Sequence, residues 1–329
     1  MKQLLDQTSG NAVKLWQTVW SPTHVTMRRW ALAAVVVNAG ITVSGAAVRV
    51  TSSGLGCPTW PRCTPDSFVP VAHNETAPIN MAIEFGNRML TFLVLAVALA
   101  CLVIAMRLLP RRRDLVRLAW IQPVGVAAQA LWGGLVVRSL LNPVTVSVHF
   151  LISSGLIAAA YALYARSREG DAPPRRLVHR DIRTLGFALT ATVFALLIAG
   201  VVVTGTGPHS GDQLASRFQF DIESVVRVHT DLVYVVLGLT FALLFATHVT
   251  DAPGHVRRAA LTLLIVELAQ GGVGYVQYFL GVPAALVDLH VLGSTLVWIC
   301  TLRVVFAMRS RDPLNATAAD LDELDTVRT

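Results

Sequence analysis

Long apolar stretches separated by short polar ones recur along the whole chain. Each is long enough to cross a bilayer, whose ~30 Å of hydrocarbon needs about 20 helical residues. Eight such stretches lie at 28–50, 82–109, 115–138, 144–166, 184–206, 223–249, 257–280 and 284–308. All eight are expected to be helices, because a lipid-exposed backbone must satisfy its own hydrogen bonds. The predicted fold class is therefore an all-α polytopic membrane protein.

The stretches also resemble one another. Gln129, Gly133, His149, Leu151 and Ser153 align without a gap on Gln270, Gly274, His290, Leu292 and Ser294, so the third and fourth stretches match the seventh and eighth. Gly40, Val43, Ser44 and Gly45 match Gly200, Val203, Thr204 and Gly205, relating the first stretch to the fifth. Leu90, Phe92 and Leu95 match Leu232, Tyr234 and Leu237, relating the second to the sixth and setting Asn87 on His229. Four crossings return a chain to its starting side. The predicted arrangement is thus two pseudo-symmetric four-helix bundles in a parallel repeat, unlike the inverted repeats of many transporters.

Composition agrees with this reading and charge orients it. The 329-residue chain is 54% hydrophobic and 14% charged, with a mean hydropathy of +0.58, which excludes an ordinary soluble domain. Arginines crowd alternate connections: Arg28 and Arg29, Arg107 to Arg117, Arg166 to Arg183, and Arg257 with Arg258. The opposite loops hold only Arg62 and Arg217. By the positive-inside rule both termini are cytoplasmic. The net charge of +7 is then mostly a topological bias, and no nucleic-acid partner is expected. The first 26 residues, with Lys2, Asp6 and Lys14, lack a compact apolar core and cleavage site, so no cleaved signal peptide is expected.

The predicted organisation is a cytoplasmic segment 1–27, an N-terminal bundle 28–166, a basic linker 167–183, a C-terminal bundle 184–308 and a cytoplasmic tail 309–329. The acidic tail, with Asp320, Asp322, Glu323 and Asp325, reads as solvated.

Candidate chemistry concentrates near the external helix ends. His149, His229 and His290 each lie about five or six residues inside the external end of an even-numbered stretch, at a common depth. A lone membrane histidine is commonly a helix–helix hydrogen-bond partner. Two at equivalent places in one bundle make a ligand pair instead. With no cysteine or carboxylate cluster to complete a zinc site, His229 and His290 suit a bis-histidine haem iron better than zinc. In the N-terminal bundle His149 faces Asn87, a poor iron ligand, so a haem there has one protein imidazole and an open opposite side.

Glu84, Asn87 and Arg88 share one helix face. Glu84 is a candidate acid, base or proton carrier beside the open position, or an ion-pair partner of Arg88 or Arg49. Arg49, Arg88, Arg138 and Arg227 cluster near the external ends and suit haem propionates, with interfacial snorkelling as the plain alternative. Cys57 and Cys63 lie on the oxidising face, where a disulfide would serve as a staple or as a redox pair. Cys101 and Cys300 read as apolar filler. Glu267 reads as a proton-path residue or as a hydrogen-bonded supporting group.

Three segments taken together resemble the haem A synthases. They are Gly54-Leu55-Gly56-Cys57-Pro58-Thr59-Trp60-Pro61-Arg62-Cys63, Ile83-Glu84-Phe85-Gly86-Asn87-Arg88, and Val203-Thr204-Gly205-Thr206-Gly207-Pro208-His209-Ser210-Gly211-Asp212. The resemblance implies that haem b sits between His229 and His290. It implies that the N-terminal bundle binds haem O and oxidises its C8 methyl to the formyl group of haem A, with Glu84 and Asn87 beside the reacting methyl and His149 as the substrate ligand. Glu84 matches the family's essential glutamate, and Cys57 with Cys63 its external cysteine pair. Asn87 departs from the histidine that many members carry, and the second external loop lacks the cysteine pair that many relatives have.

The implied partners are a haem O synthase as supplier, an unidentified electron donor, and a terminal oxidase or its assembly factors as acceptor. The implied location is the cell membrane, with both haem sites toward the extracytoplasmic face. A non-catalytic di-haem electron-transfer protein resembling cytochrome b561 is the main alternative. A transporter with histidine proton relays is another.

Overall fold

Polar residues and prolines, more than the apolar runs, decide where the helices begin and end. The computed structural model describes residues 21–71 and 77–311. Lys2, Asp6, Lys14, His73 and the acidic tail lie outside the described residues. Eight helices are each long and apolar enough to cross a membrane. They are α1 (His24–Val50), α2 (Pro78–Arg107), α3 (Arg113–Arg138), α4 (Pro143–Ser167), α5 (Arg180–Thr206), α6 (Ile222–Val249), α7 (Gly254–Phe279) and α8 (Ala284–Ala307). The chain is a multi-pass membrane protein.

Several helices start up to four residues before the apolar run. Thr23 accepts the Thr26 N–H at the start of α1, Asn142 accepts that of Val144 at α4, and Asp221 accepts that of Ser224 at α6. Each satisfies a first-turn donor that has no partner within the helix. Pro78 and Pro143 occupy first helical positions, where a missing N–H costs nothing. α2 stops at Arg107, short of the expected 109, because Pro110 disfavours the helical conformation of the residue before it.

Each of α1 to α4 packs on the next, and α4 returns to α1. α5 to α8 close in the same way. α1, α4, α5 and α8 join the two rings through α1–α8, α4–α5 and α4–α8 contacts. The largest core runs through this junction and includes Ile157, Leu163, Leu189, Val193, Trp298 and Leu302. Trp298 Nε1 donates to the Ser154 carbonyl at 2.9 Å, pinning α8 to α4. Buried alanines such as Ala31, Ala34, Ala119 and Ala260 let backbones approach closely. Large apolar side chains such as Leu131 and Phe245 stay exposed on the outer faces, as lipid contact allows.

The segment between α4 and α5 is short and structured. With α4 reaching Ser167 and α5 starting at Arg180, it spans 168–179. Within it β1 (Arg175–Arg176) pairs antiparallel with β2 (Arg309–Ser310), which follows α8. Beside this ribbon, Asp114 pairs with Arg112 at 2.8 Å and with Arg166, and Glu169 pairs with Arg166 at 2.6 Å. Arginines that counted only as orientation signals thus also tie the linker to the ends of α3, α4 and α8.

Candidate functional site

The second ring holds a paired site. His229 and His290 lie about two turns into α6 and α8, which stand at opposite corners of the ring. Their ring centroids are 6.5 Å apart and their planes are inclined by 60°. Bare backbone supports both rings: a Cβ on Gly200 of α5 would lie 3.4 Å from His229 Cε1, and one on Gly274 of α7 would lie 3.2 Å from His290 Cε1. Gln270 Nε2 donates to the His290 carbonyl at 2.8 Å and fixes α8 against α7 at that level. Both Nδ1 atoms are buried without a hydrogen-bond partner.

This geometry fits one metal ion between two imidazoles. Metal–nitrogen bonds of about 2 Å, with the ring centre about 1 Å further on each side, predict a centroid separation of roughly 6 Å. No group of three or more His, Cys, Asp or Glu converges among the described residues. The candidate donors at this place are therefore the two histidines alone.

The first ring repeats half of this arrangement. His149 of α4 lies against Gly133 of α3, whose Cβ would be 3.5 Å from Cε1, and Gln129 Nε2 donates to the His149 carbonyl at 3.0 Å. Gln129 and Gln270 were visible as a repeated pair, but nothing in the sequence showed that each grips the backbone of a histidine. At the fourth position Asn87 of α2 accepts a hydrogen bond from Ser44 of α1 at 2.7 Å.

Glu84 is buried and held at both oxygens. Oε2 accepts from the Cys57 N–H at 2.5 Å, and Oε1 accepts from Arg88 Nη2 at 2.5 Å and from its Nε at 3.1 Å. Arg88 also donates to the carbonyls of Cys57, Thr59 and Arg62. These five hydrogen bonds use all five guanidinium N–H groups, so Arg88 has no free donor for a propionate. Of the two sequence readings of Glu84, the ion pair with Arg88 is present, and it clasps the loop between α1 and α2.

That loop is stapled by a Cys57–Cys63 disulfide whose sulfurs are fully buried against Met81 and Phe85. Trp60 of the same loop lies on Gly134 of α3, where any Cβ would meet its ring. Arg138 donates to the Trp60 carbonyl at 3.4 Å and covers its ring at 5.8 Å. Arg49 Nε donates to the His209 carbonyl at 2.6 Å, and its Nη2 donates to the Thr204 carbonyl at 2.8 Å, joining α1 to the end of α5. His209 also bonds through Nε2 to the Val282 carbonyl at 2.9 Å, so it ties the α5–α6 loop to the α7–α8 turn. Arg227 is exposed near Asp221, whose carboxyl is held below the usual carboxylate range by the Ser224 side-chain and backbone hydrogen bonds and by the Arg227 charge.

Glu267 is buried in α7 with Oε1 accepting from Thr240 at 3.0 Å and Oε2 unpartnered. Its supporting hydroxyl on α6 had no sequence signal. Cys101 is buried and Cys300 half-buried, and neither is disulfide-bonded.

Residues 28–302 match the COX15-CtaA family model, described as a cytochrome oxidase assembly protein. The chain is similar to the haem A synthase of Geobacillus kaustophilus, 30% identical over 141 residues, which cover 42% of each protein. It is similar also to that of Shewanella oneidensis, 28% identical over 181 residues, covering 50% of this chain and 51% of the relative. For Staphylococcus epidermidis the figures are 25% over 178 residues, 53% of this chain and 57% of the relative. The chain thus spans about half the length of the curated relatives it matches. Since the family model matches most of the chain, from within α1 to within α8, the chain belongs to the COX15-CtaA family of cytochrome oxidase assembly proteins.

Proposed function

We propose that the chain is a haem A synthase, oxidising the C8 methyl of haem O to a formyl group. The observation that carries this reading is the broken equivalence of the two rings. One ring has two histidines at iron-spanning distance. The other has His149 and, in the matching place, an amide hydrogen-bonded to serine. The two rings are read as pseudo-symmetric bundles in parallel repeat, the first for substrate and the second for haem b, with a linker between them and both termini cytoplasmic.

In the second bundle His229 and His290 would hold haem b, resting on Gly200 and Gly274, with Gln270 fixing the height of His290. When bound, haem b supplies one-electron transfer to the substrate site. In the first bundle His149 would hold the iron of haem O from one side. Asn87 and Glu84 stand on the facing helix, where the oxidation is expected. The reaction is read as two hydroxylations of one methyl followed by loss of water.

Glu84 contributes by holding the disulfide-stapled loop closed over this end through Cys57 and Arg88. A closed loop keeps bulk water from the reacting carbon. Arg138 and Arg227, nearer the surface, are the better placed of the four arginines for propionates. The protein would lie in the cell membrane with both haem sites toward the extracytoplasmic face, receive haem O from its synthase and electrons from a separate donor, and pass haem A to a terminal oxidase or its assembly factors.

The test is to purify the protein, record reduced-minus-oxidised spectra and identify extracted haems by mass. Haem b together with haem O or haem A is expected. Haem b alone would favour a di-haem electron-transfer protein, and a colourless protein would remove both readings. His149→Ala is expected to abolish conversion of haem O while the haem b spectrum persists; conversion at the wild-type rate would refute the site.

A further inference from the structure

Ser44 and Thr204 hold matching places in the two halves, as do Asn87 and His229, yet the two hydroxyls have different partners. Thr204 Oγ1 donates to the Gly200 carbonyl one turn back in its own helix, at 2.8 Å. Ser44 Oγ crosses from α1 to α2 and donates to Asn87 Oδ1 at 2.7 Å, while the Ile41 carbonyl in its own helix is further away at 3.1 Å. A serine hydroxyl has one proton to give, and the shorter contact takes it. With its oxygen held toward α1, the Asn87 amide turns its NH2 group, a donor of two hydrogen bonds, to the other side.

The same corner is less filled than its counterpart. A Cβ on Gly200 would meet the His229 ring at 3.4 Å, whereas a Cβ on the matching Gly40 would meet nothing within 4 Å. Gly40 is itself exposed, and no side chain fills the place beside it that the His229 imidazole fills beside Gly200.

We propose that Ser44 is a positioning residue for the substrate site. It holds the Asn87 amide so that Nδ2 offers a hydrogen bond to a small oxygen-bearing ligand, dioxygen or water, in the space beside Gly40 and opposite His149. Such a donor favours a ligand atom that gains negative charge, because an oriented dipole in a water-poor site needs no reorganisation. The second half, with His229 in the matching place, has no room for this ligand. The inference rests on reading the first half as a one-histidine haem site.

The probe is carbon monoxide, bound to the reduced, haem O-loaded full-length protein, with the C–O stretching band as the readout. A hydrogen bond to the bound molecule lowers that frequency. Wild type is expected to show one low-frequency band. Asn87→Leu removes the donor and shifts the band up. Ser44→Ala frees the amide and broadens the band or shifts it up, and Ser44→Thr restores the wild-type position. Gly40→Val fills the space and loses the adduct while the reduced spectrum of haem b is unchanged.

An adduct whose band is the same in wild type, Ser44→Ala and Asn87→Leu overturns the proposal and leaves the one-histidine reading standing. No adduct in wild type that demonstrably contains haem O overturns the open iron side, and this proposal with it. If Ser44→Ala fails to retain haem, the Ser44→Thr and Asn87→Leu bands decide the question.

Discussion

Arg88 uses its guanidinium on Glu84 and on three carbonyls of the disulfide loop, so the ion pair and the loop stand or fall together. Removing Arg88 as Ala leaves a buried carboxylate without its cation, a change that typically costs about 3–5 kcal/mol. Arg88→Ala is therefore expected to lower the thermal midpoint in detergent and to expose the loop to protease, while Glu84→Gln, which keeps one accepting oxygen and leaves Arg88 bonded to three loop carbonyls, has a smaller effect on stability. Equal midpoints for the two variants would count against the clasp. Around the second site, Gly274→Val is expected to displace the His290 ring, since even a methyl there lies 3.2 Å from Cε1. Loss of most of the haem b absorbance, with the fold retained by circular dichroism, is the expected result. At this scale the sequence made Glu84, Asn87 and the three histidines legible, because polar groups are conspicuous in apolar helices. It left Ser44, Thr240 and the grip of Arg88 on the loop unread, because hydroxyls and carbonyls acquire partners only when helices meet.

The helices were largely legible as units. Hydrophobic length is a property of each segment alone, and the eight spans agree with the eight helices to within a few residues. Their ends follow local capping, which also yields a prediction: Asn142→Ala should destabilise the start of α4, the helix bearing His149, by about 1 kcal/mol, read as a lowered thermal midpoint. The 51–67 loop is different in kind. Its shape comes from the Cys57–Cys63 staple, the Trp60 contact with Gly134 and two arginines from α2 and α3. Replacing both cysteines by serine is expected to cost about 2 kcal/mol for so short a closed loop, again measured by thermal unfolding. Cysteine placement was visible beforehand, but the surface that the loop covers was not.

For the whole molecule, the junction of α1, α4, α5 and α8 carries the packing between rings, and Trp298 hydrogen-bonds across it. Trp298→Phe removes the hydrogen bond to Ser154 and part of a buried ring system, with an expected loss of at least about 1 kcal/mol, read as a lowered thermal midpoint. The internal repeat in the sequence relates segments, since matching segments that bury matching faces have the same neighbours to choose from. It did not anticipate Arg49 reaching from α1 to the end of α5, His209 reaching the α7–α8 turn within the second ring, or β1 pairing with β2. Such contacts join residues far apart in the chain and follow no local periodicity.

By itself, then, the sequence determined the membrane class, the eight helices, the repeat and the identity of the unusual polar residues, because each depends on local hydrophobicity or on residue type. Only the tertiary structure decided which of those residues meet. It set His229 and His290 at 6.5 Å, turned Glu84 toward the loop and Arg88, and gave Asn87 a serine partner beside an open space. The physical reason is that distance and orientation between side chains on different helices are fixed by packing of the whole set, and no single segment contains that information.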